Sequence, residues 1–246
     1  MKIENKFIKF EKINKSKENQ KYKLTIKKNI DSKIKKIILL YLRLETKNLH
    51  GRPFTTRRNF DIEEKNEEFF ITVTNIQLFN VIVKNKDINE MIIREILFSG
   101  KYILDTLDNN NFSVLSFDLK DFIFIEAGGE IADKTYTVTC FFIGFDKLIS
   151  IETNKKIQII EPFEKGKFLA PELRDIKSLP SQELYPIKAA YYSLGDLCTY
   201  LVAKKNNYTD IKEYQKALEP LLNTKIYWMI LRCLKRDPYD RYLLYI

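Results

Sequence analysis

A long amphipathic segment at residues 90–107 constrains the fold of this chain more than any other feature. Its apolar side chains recur every three or four residues, which is the spacing of a helix packed along one face. They are Ile92, Ile93, Ile96, Leu97, Tyr102, Ile103 and Leu107. Three asparagines at residues 109–111 predict the end of this helix, because asparagine tolerates turn and left-handed conformations. The sequence then predicts short apolar strands at residues 113–115 and 122–125, on either side of the polar triplet DLK at residues 118–120.

The composition indicates a globular protein with enough apolar residues for a sizeable core. Of the 246 residues, 45% are hydrophobic and 30% are charged, which suits one large domain or one bilobal unit. No apolar run approaches the roughly 18 residues of a membrane span, and the first residues are too charged for a secretory signal. The three cysteines have no metal-ligand spacing, so we expect reduced thiols and an intracellular location, cytoplasmic or nuclear. The single histidine, His50, excludes histidine-rich zinc sites.

The positive charge is concentrated in the first part of the chain. Residues 1–58 contain 18 Lys and Arg against 5 Asp and Glu, a net charge of +13, which leaves about −4 for the remainder. Such a basic segment could meet nucleic acid or an acidic partner protein. We favour a solvated lysine-rich surface, because no interleaved aromatic residues and no nucleic-acid motif accompany the charge.

The residues before position 75 predict antiparallel strands and one helix. Alternating apolar residues predict strands at 7–13, 22–27, 55–62 and 69–74. Asp31 and Ser32 can cap a helix that begins near Lys33, although the apolar run that follows is β-branched at its start and could also form a strand. Together with the helical patterns later in the chain, these segments predict an α+β fold.

Three segments resemble motifs that eukaryotic-type protein kinases carry in the same order. GKFLAPEL at residues 166–173 resembles the segment of that family that ends in A-P-E. YYSLGDLCTYLV at residues 191–202 resembles the D-I-W-S-L-G helix of the large lobe, and CLKRDPYDR at residues 233–241 resembles C-L-x-x-D-P-x-x-R. The resemblance extends over about residues 20–246 and implies a bilobal kinase-like fold. The implied division is a reduced antiparallel N-lobe at residues 1–75 and a larger, mainly helical C-lobe at residues 76–246.

The resemblance also implies roles for individual residues. Asp118 would orient or deprotonate a substrate hydroxyl, and Lys120 would meet the transferring phosphate. Lys27, in the triplet TIK, stands where the family has V-A-I-K, with Lys28 as the alternative on the opposite face of the strand; Glu45 lies 18 residues after Lys27. Lys27 and Glu45 are therefore the candidate nucleotide contacts.

Two further expectations come from the same resemblance. Glu172 of A-P-E and Arg241 of the last motif would form a structural ion pair. Residues 75–85 resemble the family's segment after the hinge, where a short helix begins with a Leu-Phe pair.

The departures from the family pattern concern the residues that hold phosphate and metal. No glycine precedes Gly51, so a glycine-rich phosphate loop is absent. The metal-binding Asn of the family falls at Ile123, and the metal-binding Asp of D-F-G falls at Gly144. No metal ligand is therefore expected, unless the register slips by two residues and Asp146 takes the role. The Asp of the large-lobe helix falls at Ala190, which predicts that its hydrogen bonds to the catalytic-loop backbone are lost.

These departures favour a pseudokinase that acts as a binding, scaffold or allosteric module. The expected partner is a protein, acidic or itself a true kinase, with no membrane involved. The residues assign no cofactor, and the alternative is ATP bound without Mg²⁺. An active but divergent Ser/Thr kinase is the second hypothesis, and a basic nucleic-acid-binding protein unrelated to kinases is the third.

Overall fold

A computed structural model describes residues 2–14, 19–51, 60–74, 76–79, 90–128, 136–151, 157–158, 166–174 and 183–243. The chain divides into two compact units, each built from two stretches of sequence. The first unit contains Met1–Val81 and Phe122–Asp146, and the second contains Ile82–Asp121 and Lys147–Ile246. The structure confirms a mixed α+β protein with antiparallel sheets and several helices. The predicted division at residue 75 and the kinase-like arrangement of lobes stay predictions.

The first unit is built on a five-stranded antiparallel sheet in the order β1-β2-β3-β5-β4. The strands are Lys2–Glu4 (β1), Ile8–Lys12 (β2), Asn19–Ile26 (β3), Phe60–Lys65 (β4) and Glu68–Thr74 (β5). Alternation along β3 buries Tyr22, Leu24 and Ile26 on one face, as expected for a sheet with one solvated side. The hairpin between β4 and β5 turns at Asn66 and Glu67, which both have positive φ, 52° and 62°, as a type I′ turn requires.

Helix α1, Ser32–Gly51, settles the ambiguity between helix and strand in its sequence. The Asp31 side chain accepts hydrogen bonds from the backbone N–H groups of Lys33 and Ile34, at 2.9 and 3.2 Å. The predicted N-cap is therefore confirmed. Its buried face includes Tyr41, whose hydroxyl accepts a hydrogen bond from the Phe142 N–H at 2.9 Å.

A second sheet of the first unit has the order β6-β8-β9. Its strands are Ile76–Phe79 (β6), Phe122–Gly128 (β8) and Tyr136–Phe142 (β9). The short helix predicted within residues 75–85 is therefore wrong for Ile76–Phe79, where Leu78 pairs with Ile125 of β8. The physical reason is that pairing along β8 satisfies the backbone groups of both strands, which a lone helical turn cannot do. The remaining residues of that predicted helix lie outside the described part of the chain.

Helix α2, Glu90–Asp108, begins the described part of the second unit and confirms the opening prediction of the sequence analysis. Asn111 follows it with a φ of 59°, the left-handed conformation expected there. The next strand, β7, is Phe112–Ser113 rather than residues 113–115, and it pairs with β10, Ile149–Ser150. A second small pair joins β11, Ile157–Gln158, to β12, Glu183–Leu184.

The remaining helices of the second unit pack around a central one. They are α3 (Pro171–Arg174), α4 (Pro186–Ala203), α5 (Ile211–Ala217) and α6 (Lys225–Cys233). Twelve residues of α4 are buried, and the helix contacts α2, α5 and α6. A Cβ atom at Gly100 of α2 would lie 2.6 Å from the Leu194 side chain, so this glycine lets α2 approach α4 closely. No described helix combines the length and the apolar composition needed to cross a membrane.

Candidate catalytic-loop site

The loop that carries Asp118 closes on itself through two hydrogen bonds. A 3₁₀ turn at Leu119–Asp121 follows Asp118, and the Asp121 N–H donates to the Asp118 carbonyl at 3.0 Å. In the other direction, the Asp118 N–H donates to the Asp121 carboxylate at 2.7 Å. Asp118 is half-buried and Lys120 is exposed. The backbone of Asp118 is thus held by the side chain of Asp121, a residue that the sequence analysis did not single out.

A buried ion pair connects this loop to Lys147, which begins the second stretch of sequence in the second unit. The Lys147 ammonium lies 2.6 Å from the Asp121 carboxylate, and the two side chains are 17% and 3% exposed. Burial raises the pKa of Asp121 from 3.8 to about 6, although the charge and hydrogen bond of Lys147 act in the opposite direction. The loop therefore carries a desolvated carboxylate whose counter-charge comes from the chain itself. The sequence signal was weak, because Asp121 only continues the DLK triplet and Lys147 only follows Asp146.

Ser193 of α4 anchors the loop from the other side. Its hydroxyl oxygen accepts a hydrogen bond from the buried Phe117 N–H at 2.8 Å. The Asp of the kinase pattern is Ala190 here, which has no polar side chain, and Ser193 contributes a different hydrogen bond to this backbone. Positions i and i+3 lie on the same face of a helix, so a hydroxyl at position 193 reaches the loop from the face that carries Ala190.

The residues at the two metal positions of the kinase pattern do not fit a divalent cation. Ile123 is 1% exposed in β8 and has an apolar side chain, and Gly144 has no side chain at all. Mg²⁺ requires hard oxygen ligands. Asp146 is exposed at the end of the first unit, and its role in a shifted register stays a prediction. Among the described residues, no three His, Cys, Asp or Glu side chains form a group that could hold a metal ion.

Lys27, the candidate phosphate-contacting lysine, pairs with an acid at the end of β1. Its ammonium lies 2.8 Å from the Glu4 carboxylate, and its side chain is 35% exposed. Lys27 follows β3 on the face opposite the buried one, and its N–H extends the ladder by donating to the Phe7 carbonyl at 2.9 Å. The backbone of Glu45 lies within α1, but its side chain is outside the described residues, so the pairing of Lys27 with Glu45 stays a prediction. Lys28 is exposed.

The structure brings Glu172 and Arg241 together, as the resemblance implies. The Arg241 guanidinium donates to both Glu172 carboxylate oxygens, at 2.5 and 2.9 Å, and its side chain is fully buried. It also donates to three backbone carbonyls, those of Lys235, Arg236 and Lys188. The guanidinium lies 4.9 Å from the centroid of the Tyr192 ring. Arg241 therefore joins the segment around α3, the helix α4 and the end of the described chain.

A further buried acid, Asp196, lies in α4 away from the loop. Its carboxylate accepts hydrogen bonds from the Tyr214 hydroxyl at 2.8 Å and from the Asn207 N–H at 3.2 Å. Burial raises the pKa of Asp196, and the Tyr214 hydrogen bond partly offsets this effect. The Tyr214 hydroxyl also meets the Tyr192 hydroxyl at 2.9 Å. These contacts satisfy the carboxylate within the protein, which is the arrangement of a structural network.

Several lysines of the predicted basic surface have acidic partners within the first unit. Ion pairs of 2.7 Å join Lys9 to Glu11 and Lys23 to Glu68, in addition to the pair of Lys27. These pairs reduce the charge that the solvated face of the sheet can offer to a ligand. Binding of an acidic partner or of nucleic acid at this surface stays a prediction.

The sequence matches no protein-family model, and it is not significantly similar to any curated protein.

Proposed function

We propose that this chain is a degenerate, bilobal protein kinase: a pseudokinase that serves as a binding, scaffold or allosteric module. The observation that carries the proposal is the ion pair between Asp121 and Lys147, in which a lysine of the chain itself provides the positive charge beside the candidate loop. In active kinases metal ions neutralise charge beside the catalytic loop, and phosphoryl transfer depends almost entirely on that electrostatic positioning. Here the Lys147 ammonium group pairs with the Asp121 carboxylate, the buried carboxylate of the described loop.

The residue types at the metal positions support the same conclusion. Ile123 packs into a buried strand and Gly144 has no side chain, so neither supplies the side-chain oxygen with which a kinase holds Mg²⁺ against the phosphates of a nucleotide. Asp118 and Lys120 keep the identities of catalytic residues, but without metal ligands or a phosphate loop they lack the positioning on which the reaction depends.

The contacts that hold the fold together are retained where the metal ligands are not. The hydrogen bond from Phe117 to Ser193 and the buried pair of Glu172 with Arg241 both tie loops of the second unit to its helices. A chain that keeps such contacts and loses its metal ligands is suited to presenting surfaces to a protein partner. In one form of this proposal the chain binds ATP without Mg²⁺, and Lys27 is the residue that would meet a phosphate if its pair with Glu4 opens.

Phosphotransfer tests the proposal directly. The full chain is incubated with radiolabelled ATP and either Mg²⁺ or Mn²⁺, and label is followed in the chain itself and in a protein substrate mixture. We expect no transfer above that of an Asp118→Asn variant. Robust transfer that Asp118→Asn abolishes would instead establish an active, divergent Ser/Thr kinase, and Asp146→Asn would then identify its missing ligand.

Thermal unfolding with added nucleotide separates the remaining roles. A ligand that binds only the native state raises the melting temperature in proportion to its occupancy. A rise with ATP that is the same with and without Mg²⁺ indicates a nucleotide-binding pseudokinase, and no rise indicates a scaffold that needs no nucleotide. A large rise that requires Mg²⁺ contradicts the proposal.

A further inference from the structure

The outward face of helix α6 presents the only tryptophan of the chain. Trp228 is 53% exposed, whereas Ile226, Met229 and Ile230 on the other side of the helix are buried. The Tyr227 ring packs edge-on against the Trp228 ring, with 5.0 Å between the centroids. The Tyr227 ring therefore supports one side of the indole, and a partner can cover the exposed side at little cost in side-chain entropy.

A cation and a second aromatic ring continue this surface. Arg232 lies one turn after Trp228, on the same side of the helix, and its guanidinium lies 5.4 Å from the centroid of the Tyr242 ring. Tyr242 is 40% exposed. We call Trp228, Arg232 and Tyr242 the α6 face. Trp, Tyr and Arg are the residue types that dominate the binding energy of protein interfaces.

The charges around the α6 face are mostly positive. Lys225, Lys235 and Arg236 are exposed in and just after the helix, and the acids in this stretch are Asp237 and Asp240. Arg241 does not contribute, because it is buried and paired with Glu172. The surface of the second unit is therefore basic here.

We infer that the α6 face binds an acidic segment of a partner protein, with an apolar side chain on Trp228 and a carboxylate on Arg232. A guanidinium already stacked on an aromatic ring is oriented for a bidentate bond to a carboxylate. Single-stranded nucleic acid requires a series of stacking rings along a basic track, and anionic membranes recruit larger clusters of Lys and Arg, whereas the α6 face combines two rings with one guanidinium. The inference rests on the proposed role as a binding module, but not on the absence of catalysis.

The fluorescence of the single tryptophan can report binding at this surface directly. The full chain is titrated with a peptide that repeats Gly-Ser-Glu-Leu three times and contains no aromatic residue, while the emission of Trp228 is recorded. We expect a saturable shift to shorter wavelength that weakens as salt is added, because salt screens the charge contacts. Parallel titrations use vesicles containing phosphatidylserine and a single-stranded oligothymidylate. We expect neither to shift the emission.

Three substitutions locate the binding site. Arg232→Glu should weaken the peptide about tenfold or more, because a like charge replaces the cation at the contact, and Arg232→Gln should weaken it less. Lys21→Glu changes the net charge equally at an exposed position of β3 in the first unit, and it should leave the affinity within about twofold. Trp228→Ala, followed by calorimetry, should abolish the binding heat. Far-UV circular dichroism checks that each variant is folded.

The inference is overturned if the peptide causes no shift, if Lys21→Glu weakens binding as much as Arg232→Glu, or if only vesicles or the oligonucleotide bind. Phosphotransfer measured on the same preparation keeps this result separate from the proposed function. Transfer by a chain that also binds the peptide at Arg232 would contradict the pseudokinase but not the α6 face.

Discussion

Removal of either partner of the Glu172–Arg241 ion pair should strongly destabilise the second unit. The Arg241 side chain is 0% exposed and the Glu172 side chain 16%, and the two make a bidentate contact with N–O distances of 2.5 and 2.9 Å. Glu172→Ala leaves the guanidinium bonded to three backbone carbonyls but without a counter-charge. Removing one partner of a buried pair costs about 3–5 kcal/mol, and a typical domain has only about 5–15 kcal/mol of stability.

The free energy of unfolding of Glu172→Ala, Arg241→Ala and the double variant measures the coupling. Urea is the suitable denaturant, because guanidinium chloride would screen the ion pair. The fluorescence of Trp228 follows the second unit, which contains both residues, and circular dichroism follows the whole chain. We expect each single variant to lose about 3 kcal/mol or more, and the double variant to lose less than the sum, with a coupling of about 1–3 kcal/mol.

The pair of Arg43 and Glu64 is the matched control. It has the same bidentate geometry, with N–O distances of 2.9 and 2.6 Å, but the side chains are 52% and 30% exposed. Because water solvates this pair, Glu64→Ala should change the stability far less than Glu172→Ala. Equal effects of the two substitutions, or strictly additive effects of Glu172→Ala and Arg241→Ala, would refute the argument from burial.

Three further predictions concern single contacts. Asp121→Asn should remove the pH dependence that burial of the Asp121 carboxyl causes, so that the stability difference between the two proteins changes by roughly 2 kcal/mol between about pH 7.5 and 4.5. Ser193→Ala strands the buried N–H of Phe117 and should cost about 1–3 kcal/mol of stability in urea unfolding. Asp31→Ala removes the N-cap of α1 and should cost about 1 kcal/mol, seen as a lower melting temperature by circular dichroism.

The direction of the Asp121 prediction follows from its raised pKa. Because the native state has a pKa of about 6 against an ordinary value of 3.8, it binds a proton in a range where the unfolded chain does not. The stability that this group contributes is fully present below about pH 3.8 and is lost as the pH rises through about 6. As the pH falls, the stability of the native protein should therefore rise relative to that of the Asp121→Asn variant. A stability difference that is constant with pH would contradict the raised pKa.

Matched variants check the other two predictions. Thr199 is a second buried hydroxyl in α4, but it donates to the Gly195 carbonyl of the preceding turn, so Thr199→Ala leaves no N–H without a partner and should cost less than Ser193→Ala. Asp31→Asn keeps an oxygen at the cap and should retain most of the stability that Asp31→Ala loses. A Ser193→Ala variant as stable as the native protein would show that water replaces the hydroxyl.

The features predicted correctly from the sequence depend on short stretches of chain. The period of α2 and the asparagine that ends it, the Asp31 cap of α1, and the strands β2, β3 and β5 are all set by neighbouring residues. The pairing of Glu172 with Arg241 is long-range, and only the resemblance to a known family made it predictable.

The errors arose where a distant partner decided the outcome. Leu78 and Phe79 look like the start of a helix, but their backbone groups pair with β8. The hydrogen bond from the Phe117 N–H to Ser193 was not predicted, because the two residues are far apart in the sequence. In both places another segment of the chain satisfies a backbone group that the local sequence leaves open.

By itself, the sequence determined which side-chain chemistry is missing at the two metal positions of the kinase pattern: Ile123 and Gly144 have no side-chain oxygen in any conformation. Only the tertiary structure decided what holds the loop instead. Asp121 and Lys147 are 26 residues apart and belong to no recognisable motif, and they form a pair because folding buries both in the same place. A buried carboxylate without hydrating water is stabilised either by a nearby cation or by a proton. Which cation it pairs with depends on the side chains that the fold brings within reach.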